Sequence, residues 1–474
     1  MNLFKFVEYG DRVAIIEGDI SRIISFQELE NATLQFANSF EKSKFLCFFF
    51  ISSTIDCMIA YLSLINLGHT IALFEANMHP ELKEHLINLY HPQFVIDSLA
   101  PPTDTPSYIK EQAYQPFHTT LPSLFVWKYA FPHMSPALYP KLQLLLSTSG
   151  TTGSPKLIRL SSTNIISNAK SIVEYLQISG KDRAMASLPF HYSYGLSILH
   201  THLLVGASIV LTQRSIIQEQ FWQLFDQFAC TSLAGVPHTY QLLERLGLDQ
   251  LHCPSLKTLM QAGGKMSPAL TTKYHSIMEK RHGRFFTMYG QTEATARIAY
   301  LPPDYLPAKA GAIGIAIPRG KLHLFNGEQE VIDPFCEGEL VYSGPNVMLG
   351  YANTPDDLAL GDQLNGELRT GDLGYFDNEG IYYITARLKR FSKVYGLRIN
   401  LDDIEQAASK FGHIIATSND NVIKLYYEKN IIINITACIT SLAAKYHLSQ
   451  STFECIGLNR FPLTASGKID YTKL

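Results

Sequence analysis

Cysteine is scarce in this chain, and its spacing excludes two kinds of stabilising site. The 474 residues include seven cysteines, and none of them forms a C-x-x-C pair or a Cys/His cluster with the spacing of a zinc site. A disulfide framework and a structural zinc site are therefore not expected. Buried or free thiols are typical of a reducing compartment, so this pattern favours a cytoplasmic protein.

The chain also lacks a large charge excess of either sign and any long apolar run. Its 39 basic and 42 acidic residues give a net charge of −3, so we expect neither nucleic acid nor an anionic membrane as a main partner. The first residues lack the apolar core of a secretory signal. The longest early apolar run, 45–51, is far short of the roughly 20 residues that span a bilayer. We therefore predict no integral membrane segment.

Alternating helix and strand patterns predict the fold class. A chain of 474 residues is too long for one hydrophobic core, so two or more domains are expected. Apolar periodicity and capping residues predict a helix capped by Ser25 and Glu28, a strand over 46–51, a helix over 55–67 stopped by Gly68, and a strand over 70–74. This alternation predicts an α/β fold with a layered sheet.

Later segments extend this prediction. We expect further strands at 142–146, 157–160 and 422–427, and further helices at 163–176 and 402–410. Residues 100–140 are rich in proline and aromatic side chains and have no clear period, so we predict an irregular segment there.

A loop rich in glycine and hydroxyl side chains separates two of these strands. Residues 147–156 read STSGTTGSPK. Their backbone N–H groups, hydroxyls and one ammonium are the donors needed to hold a polyphosphate. Taken alone, this composition also fits an ordinary surface turn. A Walker-type loop is a poor fit, because Pro155 precedes Lys156 and a strand, not a helix, is expected next.

The loop strongly resembles the signature of the acyl-adenylate-forming superfamily, which includes acyl-CoA synthetases, peptide-synthetase adenylation domains and luciferases. Further segments resemble this family in the same order along most of the chain. They are YGQTE at 289–293, GELVYSGPNVMLGY at 338–351, RTGDLGYFDNEG at 369–380, ARLKRFSKVYGLRIN at 386–400 and PLTASGK at 462–468.

The resemblance implies two domains joined by a hinge. A large, layered N-terminal adenylation domain would span 1–388, and a short, mobile α+β C-terminal domain would span 389–474. Lys389 takes the place of the charged hinge residue of the family. Ala386 stands where the family usually has glycine before Arg387.

The resemblance also implies an ATP site. The residues it assigns to ATP or AMP are Thr148, Ser149, Gly150, Thr151, Thr152, Gly153, Lys156, Gly263, Gly264, Tyr289, Gly290, Gln291, Thr292, Asp372, Arg387 and Lys468. Glu293, with Thr152, would hold Mg²⁺, which prefers oxygen ligands and usually bridges a carboxylate to nucleotide phosphates. Lys265 departs from the family, where a small or acidic residue more often follows the glycine pair.

An acid pocket is implied by six residues: His191, Tyr192, Ser193, Gly235, Val236 and Ala262. Members that activate amino acids typically have F-D-x-S at 190–193, where the aspartate pairs with the substrate ammonium. This chain has Phe-His-Tyr-Ser there. A buried ammonium without a carboxylate partner is costly, so we expect a fatty, aryl or other non-amino acid, unless another carboxylate serves.

For the chemistry, the resemblance implies adenylation of a carboxylic acid and then thioester formation. Lys468, Thr292, Glu293 and His191 would act in adenylation. Lys393, with Gly396 and Arg398, would face the incoming thiol. That thiol belongs to CoA or to the phosphopantetheine of an acyl-carrier protein, which would act in trans because no carrier motif is present in this sequence.

Four functions remain open at this stage. The first is an acyl-CoA synthetase for a fatty or aryl acid. The second is an adenylation enzyme that loads a stand-alone carrier protein, with an amino or hydroxy acid as a further option. The third is a nucleotide-binding protein without catalysis. The fourth is adenylation followed by transfer to an amine or by oxidation.

Overall fold

The computed structural model describes residues 3–99, 114–131, 134–147, 156–387, 391–394, 397–419, 422–431, 433–446, 448–464 and 467–474. The chain divides into two compact units. The first comprises Met1–Lys321 and Ser343–Leu368, and the second comprises Leu322–Tyr342 and Arg369–Leu474. The expected domain boundary after residue 388 falls outside the described residues and stays a prediction.

The described residues form ten α-helices. They are α1 Phe26–Ala37, α2 Ile55–Leu67, α3 Pro80–Tyr90, α4 Ser162–Leu176, α5 Ser193–Leu204, α6 Glu219–Gln227, α7 Pro237–Leu246, α8 Pro268–Lys280, α9 Leu401–Ala408 and α10 Ile435–Tyr446. None of these helices is long and apolar enough to cross a bilayer.

The strands of the described residues are β1 Val13–Glu17, β2 Arg22–Ser25, β3 Leu46–Ile51, β4 Thr70–Glu75, β5 Phe94–Asp97, β6 Tyr114–Pro116, β7 Phe125–Tyr129, β8 Leu142–Ser147, β9 Leu157–Ser161, β10 Arg183–Ala186, β11 Ser208–Leu211, β12 Ser232–Gly235, β13 Thr258–Gln261, β14 Arg284–Tyr289, β15 Ala299–Leu301, β16 Ile315–Ala316, β17 Lys321–Asn326, β18 Gln329–Glu330, β19 Gly338–Ser343, β20 Gly350–Ala352, β21 Glu367–Phe376, β22 Tyr382–Arg387, β23 Phe391–Val394, β24 Leu397–Asn400, β25 Ile414–Asn419, β26 Val422–Glu428 and β27 Phe453–Leu458.

The first unit contains an eight-stranded sheet in the order β20-β9-β8-β4-β3-β5-β7-β6. Its centre is parallel from β8 to β5, whereas β9 and β7 pair antiparallel at either side. Every residue of β3 is buried, as expected for a parallel strand covered on both faces. The strand β8 leads into the glycine-rich loop, and β9 follows it.

A nine-stranded sheet completes this unit, in the order β16-β15-β14-β13-β12-β10-β11-β1-β2. The six strands from β14 to β1 run parallel. The carboxyl ends of β12, β13 and β14 therefore lie at one edge, where Gly235, Gln261 and Tyr289 end their strands. Ligands of open α/β sheets collect at such edges, so this edge is where a site is expected.

The described residues of the second unit form three sheets. They are a five-stranded sheet in the order β18-β17-β19-β21-β22, the hairpin β23-β24, and a three-stranded sheet in the order β25-β26-β27. The helices α9 and α10 share an apolar core with the last of these, built around Ile404, Ile423 and Leu442. The predicted helix at 402–410 and strand at 422–427 correspond to α9 and β26.

The α/β fold and most predicted elements are confirmed, and one prediction is wrong. The capping box of Ser25 and Glu28 is present at the start of α1, and Gly68 ends α2 with a positive φ of 85°. The segment 100–140, expected to be irregular, contains β6 and β7. These strands pair at the edge of the eight-stranded sheet, and their three and five residues are too short for a recognisable period.

A buried arginine connects β9 to the segment 349–363. Arg159 is fully buried and donates to the carbonyl oxygens of Leu349 at 3.1 Å, Tyr351 at 3.1 Å and Leu360. The Nη2 atom also donates to Oε1 of Gln363 at 2.6 Å. A charge without water is tolerated only when its donors are satisfied, so the guanidinium fixes this segment against β9.

Gly350 makes room for that guanidinium. Its φ is +134°, and a Cβ atom added there would lie 2.7 Å from Nη2 of Arg159 and would overlap Oε1 of Gln363. Only glycine therefore allows the segment to lie this close to the arginine.

Replacing Arg159 with methionine should lower the free energy of unfolding by about 3 kcal/mol or more, because several buried carbonyl oxygens lose their donors. Urea denaturation monitored by circular dichroism measures this change. Arg214→Met is the matched control, since Arg214 forms an exposed ion pair with Asp19 and should cost less than about 1 kcal/mol. A loss of the same small size for both variants would contradict the role of Arg159.

Acid should destabilise the first unit through His69. This ring is fully buried and stacks on Phe45 with centroids 3.7 Å apart. Neither ring nitrogen has a hydrogen-bond partner among the described residues, and burial, with a smaller contribution from the Lys44 charge, lowers the pKa of His69 to about 4. The unfolded chain therefore takes up the proton first, so stability is lost as the pH falls from about 6.5 towards 4.

The measurement is the urea midpoint of wild type and His69→Phe at pH 7, 6 and 5. We expect the two midpoints to diverge as the pH falls. Relative to wild type, the free energy of unfolding of the variant should rise by about 1 kcal/mol per pH unit below pH 6. A constant difference across this range would show that His69 does not take up a proton on unfolding.

Candidate active site

The segment after β14 folds back sharply at the carboxyl edge of the nine-stranded sheet. Residues Thr292–Ala294 form one short 3₁₀ turn. A Cβ atom on Gly290 would overlap the carbonyl oxygen of Ala296 and would lie 2.8 Å from Cα of Arg297. Glycine is thus required at the point where the chain returns on itself, and this return holds Thr292 and Glu293 beside the end of β14.

Two groups of the segment 348–351 bind Glu293. The hydroxyl of Tyr351 donates to Oε1 of Glu293 at 2.9 Å, and the backbone N–H of Met348 donates to its carbonyl oxygen at 2.9 Å. Burial and the neighbouring Glu293 charge raise the pKa of Tyr351, which keeps the phenol protonated as a donor. Within the described residues no basic side chain pairs with Glu293.

Tyr351 also lies beside Lys156, the last residue of the glycine-rich loop. The Nζ atom of Lys156 is 5.6 Å from the centroid of the Tyr351 ring. The ring therefore contacts the cation through its face and the Glu293 carboxylate through its hydroxyl. The other loop residues predicted to bind phosphate or metal lie outside the described residues; they are Thr148, Ser149, Gly150, Thr151, Thr152 and Gly153.

The first residue of α5 contacts the 3₁₀ turn at Thr292. Oγ of Ser193 and Oγ1 of Thr292 are 3.1 Å apart, so the predicted acid pocket and the predicted nucleotide motif are adjacent. His191 makes no hydrogen bond with the described part of the chain. Burial lowers its pKa to about 4, so the imidazole is neutral at pH 7.

Strands β12 and β13 supply the remaining predicted pocket residues at the same edge. The N–H of Ala262 donates to the carbonyl oxygen of Gly235 at 3.2 Å. Gly263 has a positive φ of 84°. Tyr192 and Val236 stand immediately before α5 and α7, and Gln291 immediately precedes the 3₁₀ turn at Thr292. The strand ends thus bring the predicted acid pocket and glycine pair to the edge that also carries Tyr289.

In the second unit, Asp372 and Arg387 form an ion pair. They are cross-strand partners on β21 and β22, and Nε of Arg387 donates to Oδ1 of Asp372 at 2.8 Å. The Asp372 side chain is 3% exposed and that of Arg387 is 61% exposed. The arginine can therefore meet a ligand while the aspartate orients it.

The other predicted residues of the second unit lie near the C-terminus and in the β23-β24 hairpin. Lys468 is exposed, and its backbone bonds to Thr464 in both directions, at 2.8 Å and 3.2 Å. Lys393 and Arg398 are directly opposite in the β23-β24 hairpin. The predicted hinge Lys389 and Gly396 lie outside the described residues.

The donors suit a magnesium ion that is held jointly with a nucleotide. The described residues contain no cluster of three or more His, Cys, Asp and Glu side chains that could enclose a metal. Glu293 instead offers a single carboxylate, with no basic side chain paired to it in the described part of the chain. Mg²⁺ commonly uses one or two carboxylates and completes its shell with phosphates and water, so this arrangement fits.

A family model described as AMP-binding enzyme matches residues 5–352. The chain belongs to the AMP-binding enzyme family. This confirms the acyl-adenylate-forming superfamily predicted from the motifs.

Curated relatives in this family include CoA ligases. The 2-succinylbenzoate–CoA ligase of Bacillus cereus is 34% identical over 245 residues, which is 51% of this chain and 49% of the relative. The enzyme of that name from Bacillus velezensis is 27% identical over 339 residues, 69% of this chain and 66% of the relative. An oxalate–CoA ligase of Arabidopsis thaliana is 27% identical over 268 residues, 55% of this chain and 51% of the relative. The match to the first of these relatives spans about half of its length.

Solved structures of AMP-binding enzymes share the fold along the whole chain. O-succinylbenzoate Coenzyme A Synthetase (MenE) of Bacillus subtilis, in complex with AMP, has a TM-score of 0.78 at 21% identity, with 100% of this chain and 98% of that chain covered. ATP-bound MatB of Rhodopseudomonas palustris has a TM-score of 0.79 at 20% identity, with 99% and 97% covered.

We expect His191 to titrate with a pKa of about 4 in the ligand-free AMP-binding enzyme, because burial disfavours its cation. The measurement is the pH dependence of the imidazole Cε1–H signal by NMR, assigned with His191→Gln. A His191 midpoint above 6 would contradict the burial of the ring.

Proposed function

We propose that this AMP-binding enzyme is an acid–thiol ligase that activates a carboxylic acid with ATP and transfers the acyl group to CoA. The contact between Ser193 and Thr292 carries this proposal, because it joins a residue predicted to line the acid pocket to one predicted to bind the nucleotide. The names of three curated relatives, two 2-succinylbenzoate–CoA ligases and one oxalate–CoA ligase, support it.

The chemistry requires an intermediate with a good leaving group. A carboxylate resists a thiol because oxide would have to leave. In the first step a carboxylate oxygen attacks the α-phosphorus of ATP. The bond between that phosphorus and the oxygen that bridges it to the β-phosphate breaks, and pyrophosphate departs. In the second step the thiol sulfur attacks the acyl carbon, its proton is lost, and AMP leaves.

Catalysis of the first step depends on positioning and charge neutralisation. Glu293 is the residue proposed to hold Mg²⁺, which neutralises phosphate charge when bound. Thr292 would donate its hydroxyl to the α-phosphate, and Lys156 would neutralise the departing side. Lys468 would neutralise charge between the acid and the α-phosphate, whereas Arg387, oriented by Asp372, would donate to the ribose.

The acid is proposed to be an aryl acid. A neutral His191 offers a hydrogen bond and no charge, so it suits the uncharged part of an acid or its carboxylate better than an ammonium. No aspartate occupies position 191 to pair with an amino group. The two bacterial relatives bear the name of an aryl acid, 2-succinylbenzoate.

For the acceptor we propose CoA, with a stand-alone carrier protein as the second candidate. Residues 390–474 carry 10 Lys and Arg against 7 Asp and Glu, and this positive balance suits both acidic acceptors. Lys393 and Arg398, opposed in the hairpin, are the proposed phosphate contacts of CoA.

We propose a cytoplasmic location for the protein. The reason is that the spacing of its seven cysteines, which form no C-x-x-C pair, is typical of free thiols in a reducing compartment.

The test is pyrophosphate release with Mg-ATP across aryl, fatty, hydroxy, dicarboxylic and amino acids, with and without CoA. We expect acid-dependent release that becomes multi-turnover with CoA for an aryl acid. Lys468→Ala should reduce the rate about 10²–10³-fold, since a preorganised charge is lost.

Other outcomes separate the alternatives. A single-turnover burst that CoA does not change would favour a carrier protein or another acceptor. Nucleotide binding without release for any acid would contradict the ligase and favour a binding protein.

A further inference from the structure

The residue after the Glu293 turn has a backbone conformation that is rare for its type. Thr295 has φ +64° and ψ −60°, and the N–H of Ala296 donates to the carbonyl oxygen of Ala294 at 2.7 Å. Together these define a γ-turn of the strained kind. A β-branched residue with positive φ persists only when its surroundings hold it.

Asn346 holds this turn from both sides. Its Nδ2 donates to the carbonyl oxygens of Ala294 and Arg297, both at 2.9 Å. Its own carbonyl oxygen accepts from Oγ1 of Thr295 at 2.8 Å. Asn346 and Thr295 are both buried, so water cannot replace these bonds at low cost.

The same segment also fixes Glu293. Met348 binds the Glu293 backbone, and Tyr351 binds its carboxylate. Three contacts at 346, 348 and 351 therefore span the turn from Glu293 to Arg297. A shift of the Thr295 turn would move Glu293 relative to Tyr351 and Thr292.

We propose that Asn346 is a positioning residue, which sets the direction of the Glu293 carboxylate by holding the strained Thr295 turn. The inference rests on the proposed function in one respect, that Glu293 is a metal ligand.

The test measures metal binding and not turnover. Mn²⁺ replaces Mg²⁺, and its binding to the enzyme with α,β-methylene-ATP is titrated by electron paramagnetic resonance. Asn346→Ala should weaken Mn²⁺ binding about 10–100-fold, the usual effect of removing a group that orients a metal ligand. The affinity for the ATP analogue in EDTA should change less than about threefold.

A second substitution tests the strain itself. Glycine adopts positive φ without a Cβ penalty, so Thr295→Gly should make the turn less dependent on Asn346. In the double variant with Asn346→Ala, it should restore at least about half of the lost Mn²⁺ affinity, measured on a logarithmic scale.

The matched control is Asn66→Ala. Asn66 exchanges two hydrogen bonds with the backbone of Phe4 at 3.0 and 3.1 Å, and it is not bonded to the Thr295 turn. It should lower the melting temperature in the same manner as Asn346→Ala and leave Mn²⁺ affinity unchanged. If Asn346→Ala does not fold, Asn346→Ser retains one donor and should give a smaller loss of Mn²⁺ affinity.

The outcomes are distinct. Unchanged Mn²⁺ affinity in a folded Asn346 variant, or no recovery by Thr295→Gly, would overturn the inference and leave the proposed function standing. If wild type binds Mn²⁺ with the analogue but never releases pyrophosphate, the ligase proposal alone fails. If wild type does not bind Mn²⁺ at all, both fail.

Discussion

The buried guanidinium of Arg159 is the constraint on which the site of the first unit depends. It fixes residues 349–363 to β9 by donating to backbone carbonyl oxygens. Among the described residues, no carboxylate forms an ion pair with it. This segment includes Tyr351, which donates a hydrogen bond to Glu293 and contacts Lys156 through its ring. It also begins three residues after Asn346, which holds the Thr295 turn. Fold stability and the geometry around Glu293 thus share one cause, because the carbonyl oxygens that satisfy the arginine belong to the segment that positions the carboxylate.

Local patterns predicted much of this fold because caps and periodicity act over a few residues. The strand β3, the helix α2 and its glycine stop follow from sequence alone, since each is specified by its own apolar residues and terminus. The edge strands β6 and β7 do not, because a short strand with mixed composition forms only when a neighbouring strand provides the hydrogen bonds. The pairing of β7 with β5, and of β6 with β7, is a tertiary effect.

In the candidate site, too, local motifs predicted some features and not others. Motifs predicted that Ser193, Thr292, Asp372 and Arg387 are site residues, and the structure adds that these pair as Ser193 with Thr292 and Asp372 with Arg387. Motifs did not predict the contacts of Arg159, Tyr351 or Asn346, since each joins residues about 50 to 200 positions apart. One signal was present in the sequence: an arginine in the middle of the apolar strand LIRLS requires buried acceptors.

The close approach of Gly350 to Arg159 limits which substitutions this sequence tolerates. The missing side chain of Gly350 is the space that the Arg159 guanidinium fills. A larger residue at 350 would have to displace the ends of the Arg159 and Gln363 side chains from their hydrogen bonds, and loss of the arginine would leave carbonyl oxygens without donors. A single substitution at either position is therefore expected to lower the free energy of unfolding, and we expect the two positions to change together among relatives.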